Sequence, residues 1–152
     1  MAGITNKGKY RMLDMFFRGA ASPTLFYVAL CTSASAPGAS KNVITDMAEI
    51  ASGNGYSTGG ASVARNSTDF DTLTEDDSAS RGLIQIKDMV FTAAGGNLPS
   101  SGNGARYAVL LDSNSTASLR EVYASWDLTS DRTVSDTQTL TLQNLELRLN
   151  ES

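Results

Sequence analysis

The chain has 152 residues, 41% hydrophobic, 7% aromatic and 18% charged, which fits one globular domain with a lightly charged surface. Twelve basic against sixteen acidic residues give a formal charge of −4 without any Lys/Arg stripe, which argues against nucleic acid as a partner. There is no histidine and a single cysteine, so Ser-His-Asp, Cys-His and His-ligated metal chemistry are all excluded, as is an intrachain disulfide.

The opening Met1-Ala2-Gly3-Ile4-Thr5-Asn6-Lys7 has no apolar leader and no run approaches membrane-spanning length, so a soluble chain without a membrane partner is expected. From Lys7 to Arg18 the apolar Tyr10, Leu13, Phe16 and Phe17 recur at three- and four-residue spacing. That spacing predicts an amphipathic helix, capped by Asn6 and ended at Gly19. The helical segment occupies residues 1–22.

Thr24 to Thr32 is a nearly unbroken apolar run with β-branched and aromatic members, which predicts a strand central in a sheet and buries Cys31 as a hydrophobe. Pro37-Gly38 marks a loop, and Val43, Met47 and Ile50 fit a short helical turn capped by Thr45 or Asn42. Residues 51–80 are dominated by Gly, Ser, Thr, Asn and Asp, with only Tyr56, Val63, Phe70 and Leu73 able to reach a core. A long loop or arm is expected there.

The second half reads as antiparallel strands. Leu83 to Phe91 alternates Ile84, Ile86 and Val90 with Gln85 and Lys87, Arg106 to Asp112 is apolar, and Leu119 to Leu128 sets Val122, Ala124, Trp126 and Leu128 against Glu121, Tyr123, Ser125 and Asp127. On that alternation Tyr123 and Trp126 face opposite sides. Turns are expected at 113–116 and 129–132, and residues 92–105 form a second long loop, able to reach a neighbouring subunit. In the last strand Leu140 and Leu142 change phase to Leu145, Leu147 and Leu149, which predicts a β-bulge at Gln143-Asn144, the alternative being a crossing between sheets or subunits. The expected fold is therefore mainly β: a single domain over 1–152, an antiparallel β-sandwich or small barrel with an N-terminal α-helix.

Candidate chemistry is sparse. Glu75-Asp76-Asp77, with Asp69 and Asp71, lacks calcium-loop spacing and reads as a solvated acidic segment or a face for a basic partner. The two Ser-Gly-Asn-Gly copies, at 52–55 and 101–104, lack a phosphate loop's Lys-Ser/Thr ending and read as turns. Asn66-Ser67-Thr68 and Asn114-Ser115-Thr116 read as polar loops. Acid/base work would need Asp112, Glu121 or Asp127 to converge in a cleft, whereas outward strand carboxylates usually solvate a sheet. No enzyme activity, metal or cofactor is expected.

Three segments carry a resemblance: Leu13-Asp14-Met15-Phe16-Phe17-Arg18-Gly19, Leu25-Phe26-Tyr27-Val28-Ala29-Leu30-Cys31-Thr32, and Gly104-Ala105-Arg106-Tyr107-Ala108-Val109-Leu110-Leu111-Asp112. In this order, with Gly55-Tyr56 between, they resemble a family of small tailed-phage virion proteins. The closing Val122-Tyr123-Ala124-Ser125-Trp126-Asp127-Leu128, Asp131-Arg132-Thr133-Val134 and leucine strand look like members from phages of aquatic bacteria.

The resemblance implies a head decoration, or cement, protein. Such a protein is made in the host bacterial cytoplasm and placed on the capsid exterior, where it self-associates as a homotrimer and bridges major capsid protein subunits. The alternative it allows is a tail- or fibre-associated adaptor or receptor-binding protein. For the cement protein, contact is expected from the N-terminal segment and the two long loops, with apolar contacts Phe16, Phe17, Tyr56, Leu98 and Tyr123 and polar ones Arg18, Arg65 and Arg106.

Overall fold

The computed structural model describes residues 3–150. In chain order the elements are β1 (Gly3–Ile4), α1 (Asn6–Phe17), β2 (Leu25–Cys31), β3 (Ala61–Ala64), β4 (Thr72–Asp76), β5 (Arg81–Ile86), β6 (Met89–Thr92), β7 (Ala105–Leu111), β8 (Val122–Arg132), β9 (Thr139–Leu142) and β10 (Leu145–Asn150). Short 3-10 turns cover Ile44–Asp46, Asp77–Ala79 and Ala117–Leu119. The fold is mainly β, sandwich-like and antiparallel throughout, with one N-terminal helix and no closed barrel among the described residues.

Helix α1 starts one residue earlier than its apolar spacing indicates. Thr5, in extended backbone, is the cap: its Oγ1 accepts from Gly8 N at 2.9 Å and donates to the Val122 carbonyl. Asn6 is the first helical residue rather than the cap, because only Thr5 faces both β8 and the first turn. At the other end Gly19 takes φ +74°, which lets Ala20 N return to the Asp14 carbonyl at 3.2 Å.

The main sheet has the order β1-β8-β7-β2-β3, so β2 is an interior strand, between β7 and β3, and β7 is the central one. Both of its faces are covered, which is why β2 and β7 read as apolar runs rather than alternations. One face, with Phe26, Val28, Leu30, Ala108 and Leu110, packs against Ile86, Met89, Phe91, Leu142 and Leu145. On the other, Ala29, Cys31, Val109 and Leu111 pack under Ile44 and Met47. The turn carrying Ile44 is capped by neither Thr45 nor Asn42: the Asp46 carboxylate accepts from Asn42 N and Val43 N.

Two register features depart from simple alternation. In β8, Ala124 faces Leu110 but Val122 faces Leu111, so Tyr123 is an extra residue and the phase flips there. As a result Tyr123 and Trp126 share one core cluster instead of facing opposite sides. Further along, Arg132 pairs with Ala105 and Asp127 with Tyr107, so the expected turn at 129–132 is an irregular bend inside one long strand, with Thr129 at φ +68°.

The second feature is the phase change in the leucine strand. Strands β5 and β6 run antiparallel to β10 and β9 as one ribbon: Ile86 faces Leu145 and Met89 faces Leu142, three residues apart on each side. A one-residue bulge would shift the register, and here it is kept. Instead both partners leave strand geometry together at 87–88 and 143–144, with Asn144 at φ +56°. The ribbon thereby passes from the three-stranded sheet β10-β5-β4 to the pair β6-β9. The crossing between sheets is the form taken, and the same break puts Val90 outward and Met89 and Phe91 inward.

Neither long loop is an arm. Residues 51–80 contain β3, paired with β2, and β4, paired with β5, because short Thr- and Ala-containing stretches there find open sheet edges. Residues 92–105 fold back onto the body: Leu98 and Val134 exchange backbone hydrogen bonds at 2.9 Å, Asn54 Nδ2 donates to the Asn97 carbonyl at 2.8 Å, and Leu98 is fully buried.

Candidate protein interface

Helix α1 touches the body through a narrow strip. Gly8 lies so close to β8 that a Cβ there would sit 2.3 Å from the Tyr123 carbonyl oxygen. One turn on, Arg11 Nε and Nη2 donate to the two Glu121 carboxylate oxygens at 2.6 and 2.8 Å, with Lys7 nearby at 3.6 Å. The Arg11 hydrogen bonds hold the Glu121 carboxyl below its ordinary range, and the same contact raises the Arg11 guanidinium further above its own.

Docking on that strip turns the apolar stripe of the helix outward. Phe16 is 82% exposed and Phe17 74%, their rings packed edge to face at 4.9 Å, and Tyr10 and Leu13 are exposed beside them. Single exposed hydrophobes are ordinary, but a contiguous set of this kind marks an interaction surface.

Beside the helix runs an apolar groove of about 440 Å³. Its floor includes Phe26 and Tyr123 of the main sheet, one bank is Met12 and Met15 of α1, and the other is the cross-strand row Leu147, Ile84 and Leu73 on β10, β5 and β4. Burial falls along β10 from Leu145 to Leu147 to Leu149. All three leucines keep one face, yet only the first reaches the closed core. Leu73 ends the row on the edge strand β4 and is 79% exposed. A second apolar dip, between Leu13, Phe16, Phe17 and Leu149, continues the surface past the helix end.

The eight expected contact residues separate cleanly. Phe16, Phe17 and Arg18 are exposed together at the end of α1, and Arg65 stands at the rim of the groove. Tyr123 is buried and supplies groove floor. Tyr56 is buried, its hydroxyl donating to Glu49 Oε1 at 2.7 Å and accepting from Leu30 N at 3.0 Å, and Leu98 is core. Neither presents a surface, since each hydrophobe closes its own loop onto the body. Arg106 is half buried and spent on Asp127 at 2.8 and 3.1 Å.

The carboxylates named for acid/base work are engaged elsewhere. Asp112 Oδ1 accepts from Glu121 N at 3.0 Å, Glu121 serves Arg11, and Asp127 serves Arg106. The Arg106 hydrogen bond also lowers the Asp127 carboxyl, the direction opposite to that of a proton donor at neutral pH. In the acidic segment, Asp69 accepts from Ala64 N at 2.7 Å and pairs with Lys87, while Asp76 pairs with Arg81 at 2.9 Å.

Sequence reasoning passed over Leu73 and Leu149 as surface, and a charge separation that was readable. The exposed charges of α1 and its C-terminal cap are Lys9 and Arg18, the latter paired with Asp14, whereas residues 70–80 expose Asp71, Glu75 and Asp77, and the groove itself is lined by one charged residue, Arg65. Comparison with protein-family models, curated proteins and solved structures returns no match for this chain.

Proposed function

We propose that the chain is a structural subunit of a tailed-phage virion: a head decoration protein that self-associates on the capsid exterior and bridges major capsid protein subunits. The observation that carries the reading is the open apolar surface around Phe16 and Phe17, on a domain whose buried side-chain polar atoms are already hydrogen-bonded among the described residues. A domain built this way stabilises an assembly by burying surface. The ordered resemblance of the α1, β2 and β7 segments to small virion proteins supplies the phage context.

Counting copies of this chain per purified virion, by quantitative mass spectrometry against the major capsid protein, tests the reading. Near-stoichiometric abundance is expected of a cement protein. A handful of copies per particle would overturn it in favour of a tail- or fibre-associated adaptor.

A further inference from the structure

The sequence Ser-Gly-Asn-Gly occurs twice, at 52–55 and 101–104, and the fold puts its two copies in opposite situations. Asn54 is locked. Gly53 and Tyr56 exchange backbone hydrogen bonds at 2.8 and 3.0 Å around it, its own carbonyl accepts from Ala94 N at 3.0 Å, and its Nδ2 donates to the Asn97 carbonyl at 2.8 Å. Its backbone is left-handed, at φ +51°, and a Cβ on Gly55 would run into the Thr92 carbonyl.

Asn103 carries none of these ties. It is exposed, its side chain makes no hydrogen bond among the described residues, and no backbone hydrogen bond closes a turn across it. Gly102 before it has open space around its Cβ position, so the chain on that side is free to turn. Gly104 after it is buried against Arg132, yet its N–H donates to no group among the described residues. A side-chain amide free to swing and a following N–H without an acceptor are what an intramolecular attack needs, and a glycine leaves that nitrogen unshielded by any side chain.

We propose that Asn103 is a self-modification site, deamidating through a cyclic imide in the folded chain while Asn54 is spared. The Gly104 backbone nitrogen gives up its proton and bonds to Asn103 Cγ. The Cγ–Nδ2 bond breaks, and the amide nitrogen takes up a proton and departs as ammonia. Water then opens the imide ring at either carbonyl, leaving aspartate in one case and isoaspartate in the other. The net change is one water taken up and one ammonia released, with nothing oxidised or reduced.

The product differs from the parent in charge and in backbone. Each event adds one negative charge to a chain of formal charge −4. The isoaspartyl form also inserts a methylene into the main chain just ahead of Gly104, where packing is tight enough that a Cβ would sit 2.8 Å from the Arg132 carbonyl oxygen. The strain falls on the neighbouring Ala105–Arg132 pair at the start of β7. Asn54 is protected because reaction there waits for the segment holding Thr92, Ala94 and Asn97 to open, and chemistry that proceeds only through an open state is slowed by the opening equilibrium.

The test is incubation of the full chain in mildly alkaline buffer, native and in denaturant, read by peptide mass mapping of the amide-to-acid change and by isoaspartate-specific methylation. In the native chain Asn103 is expected to react about tenfold or more faster than Asn54, with both aspartate and isoaspartate formed. In denaturant the two copies, alike in local sequence, are expected to react at matching rates, which assigns the native difference to the fold. Asn103→Gln, at an exposed position, is expected to remove isoaspartate from the native chain and leave the unfolding midpoint unchanged. A native chain in which Asn103 stays intact, or in which Asn54 keeps pace with it, would overturn the proposal.

Discussion

Arg11 of α1 and Glu121, at the entry to β8, form a two-armed ion pair across 110 residues of chain, and it is the main polar contact holding the helix to the sheet. Glu121 is mostly buried, so the pair is screened less than a surface bridge. Arg11→Ala should lower stability by about 1.5–3 kcal/mol, the range for hydrogen bonds to charged groups. A double-mutant cycle with Glu121→Ala, followed by denaturant unfolding, gives the coupling.

The same pair sets a pH dependence. The folded carboxyl of Glu121 is depressed, chiefly by the Arg11 hydrogen bonds, so its contribution is complete above the unfolded value of about 4.3 and is lost as pH falls through the folded one. Unfolding midpoints should therefore drop on acidification below about pH 4. Glu121→Gln should flatten that limb, and an unchanged limb would place the acid sensitivity elsewhere.

Gly8→Ala separates packing from propensity. In a free helix alanine is favoured over glycine by about 1 kcal/mol. Here the added Cβ would meet the Tyr123 carbonyl oxygen at 2.3 Å, so α1 must lift from β8. A loss of about 1–3 kcal/mol is expected, the usual cost of overpacking, and any gain in stability would show that the helix is not held where the structure puts it.

Leu98→Ala tests whether residues 92–105 belong to the body. Truncating this fully buried side chain should cost about 2–5 kcal/mol, against about 0.5 kcal/mol for a residue in a free arm. Chemical denaturation reads the difference directly.

Burial pushes the Cys31 thiol up to about 12, with the nearby Glu49 charge adding to it. A thiol-specific reagent at pH near 8 should leave the native chain unmodified and label Cys31 fully in denaturant. Labelling in the native state faster than global unfolding would contradict the packing of β2.

Helix α1, the interior β2 strand and the mainly antiparallel β character were legible because each rests on a local pattern: apolar spacing near three to four residues, an unbroken β-branched run, alternation with turn residues between. Other features depended on distant partners. The extra residue at Tyr123 exists only relative to Leu110 and Leu111, so no pattern within β8 reveals that Tyr123 and Trp126 share a core. Likewise the leucine phase change was visible, but its form was set by the matching break at 87–88 on the paired strand.

For the candidate site, the aromatic pair Phe16-Phe17 was evident. Its exposure followed from the opposite side of the helix, where Thr5, Gly8 and Arg11 choose which stripe meets β8. A glycine inside an otherwise good helix was the available signal, since it marks a close backbone approach. The loop at 92–105 was legible as a loop, but the anchoring of Leu98 in the body was not, and at 51–80 Val63 was readable as a core residue while the pairing of its strand with β2 depended on a distant partner.

The narrow footprint of α1 has a thermodynamic side. Gly8 is the one buried residue among its twelve, with Met15 partly buried beside it, so the helix should detach at a free energy below that of opening the sheets behind it. Amide protons of α1 should then exchange ahead of those in β2 and β7, and the chain behaves as a rigid platform carrying one loosely latched element. Association that clamps the helix would draw its strength partly from ending that motion, so the latch converts contact with a neighbour into local order.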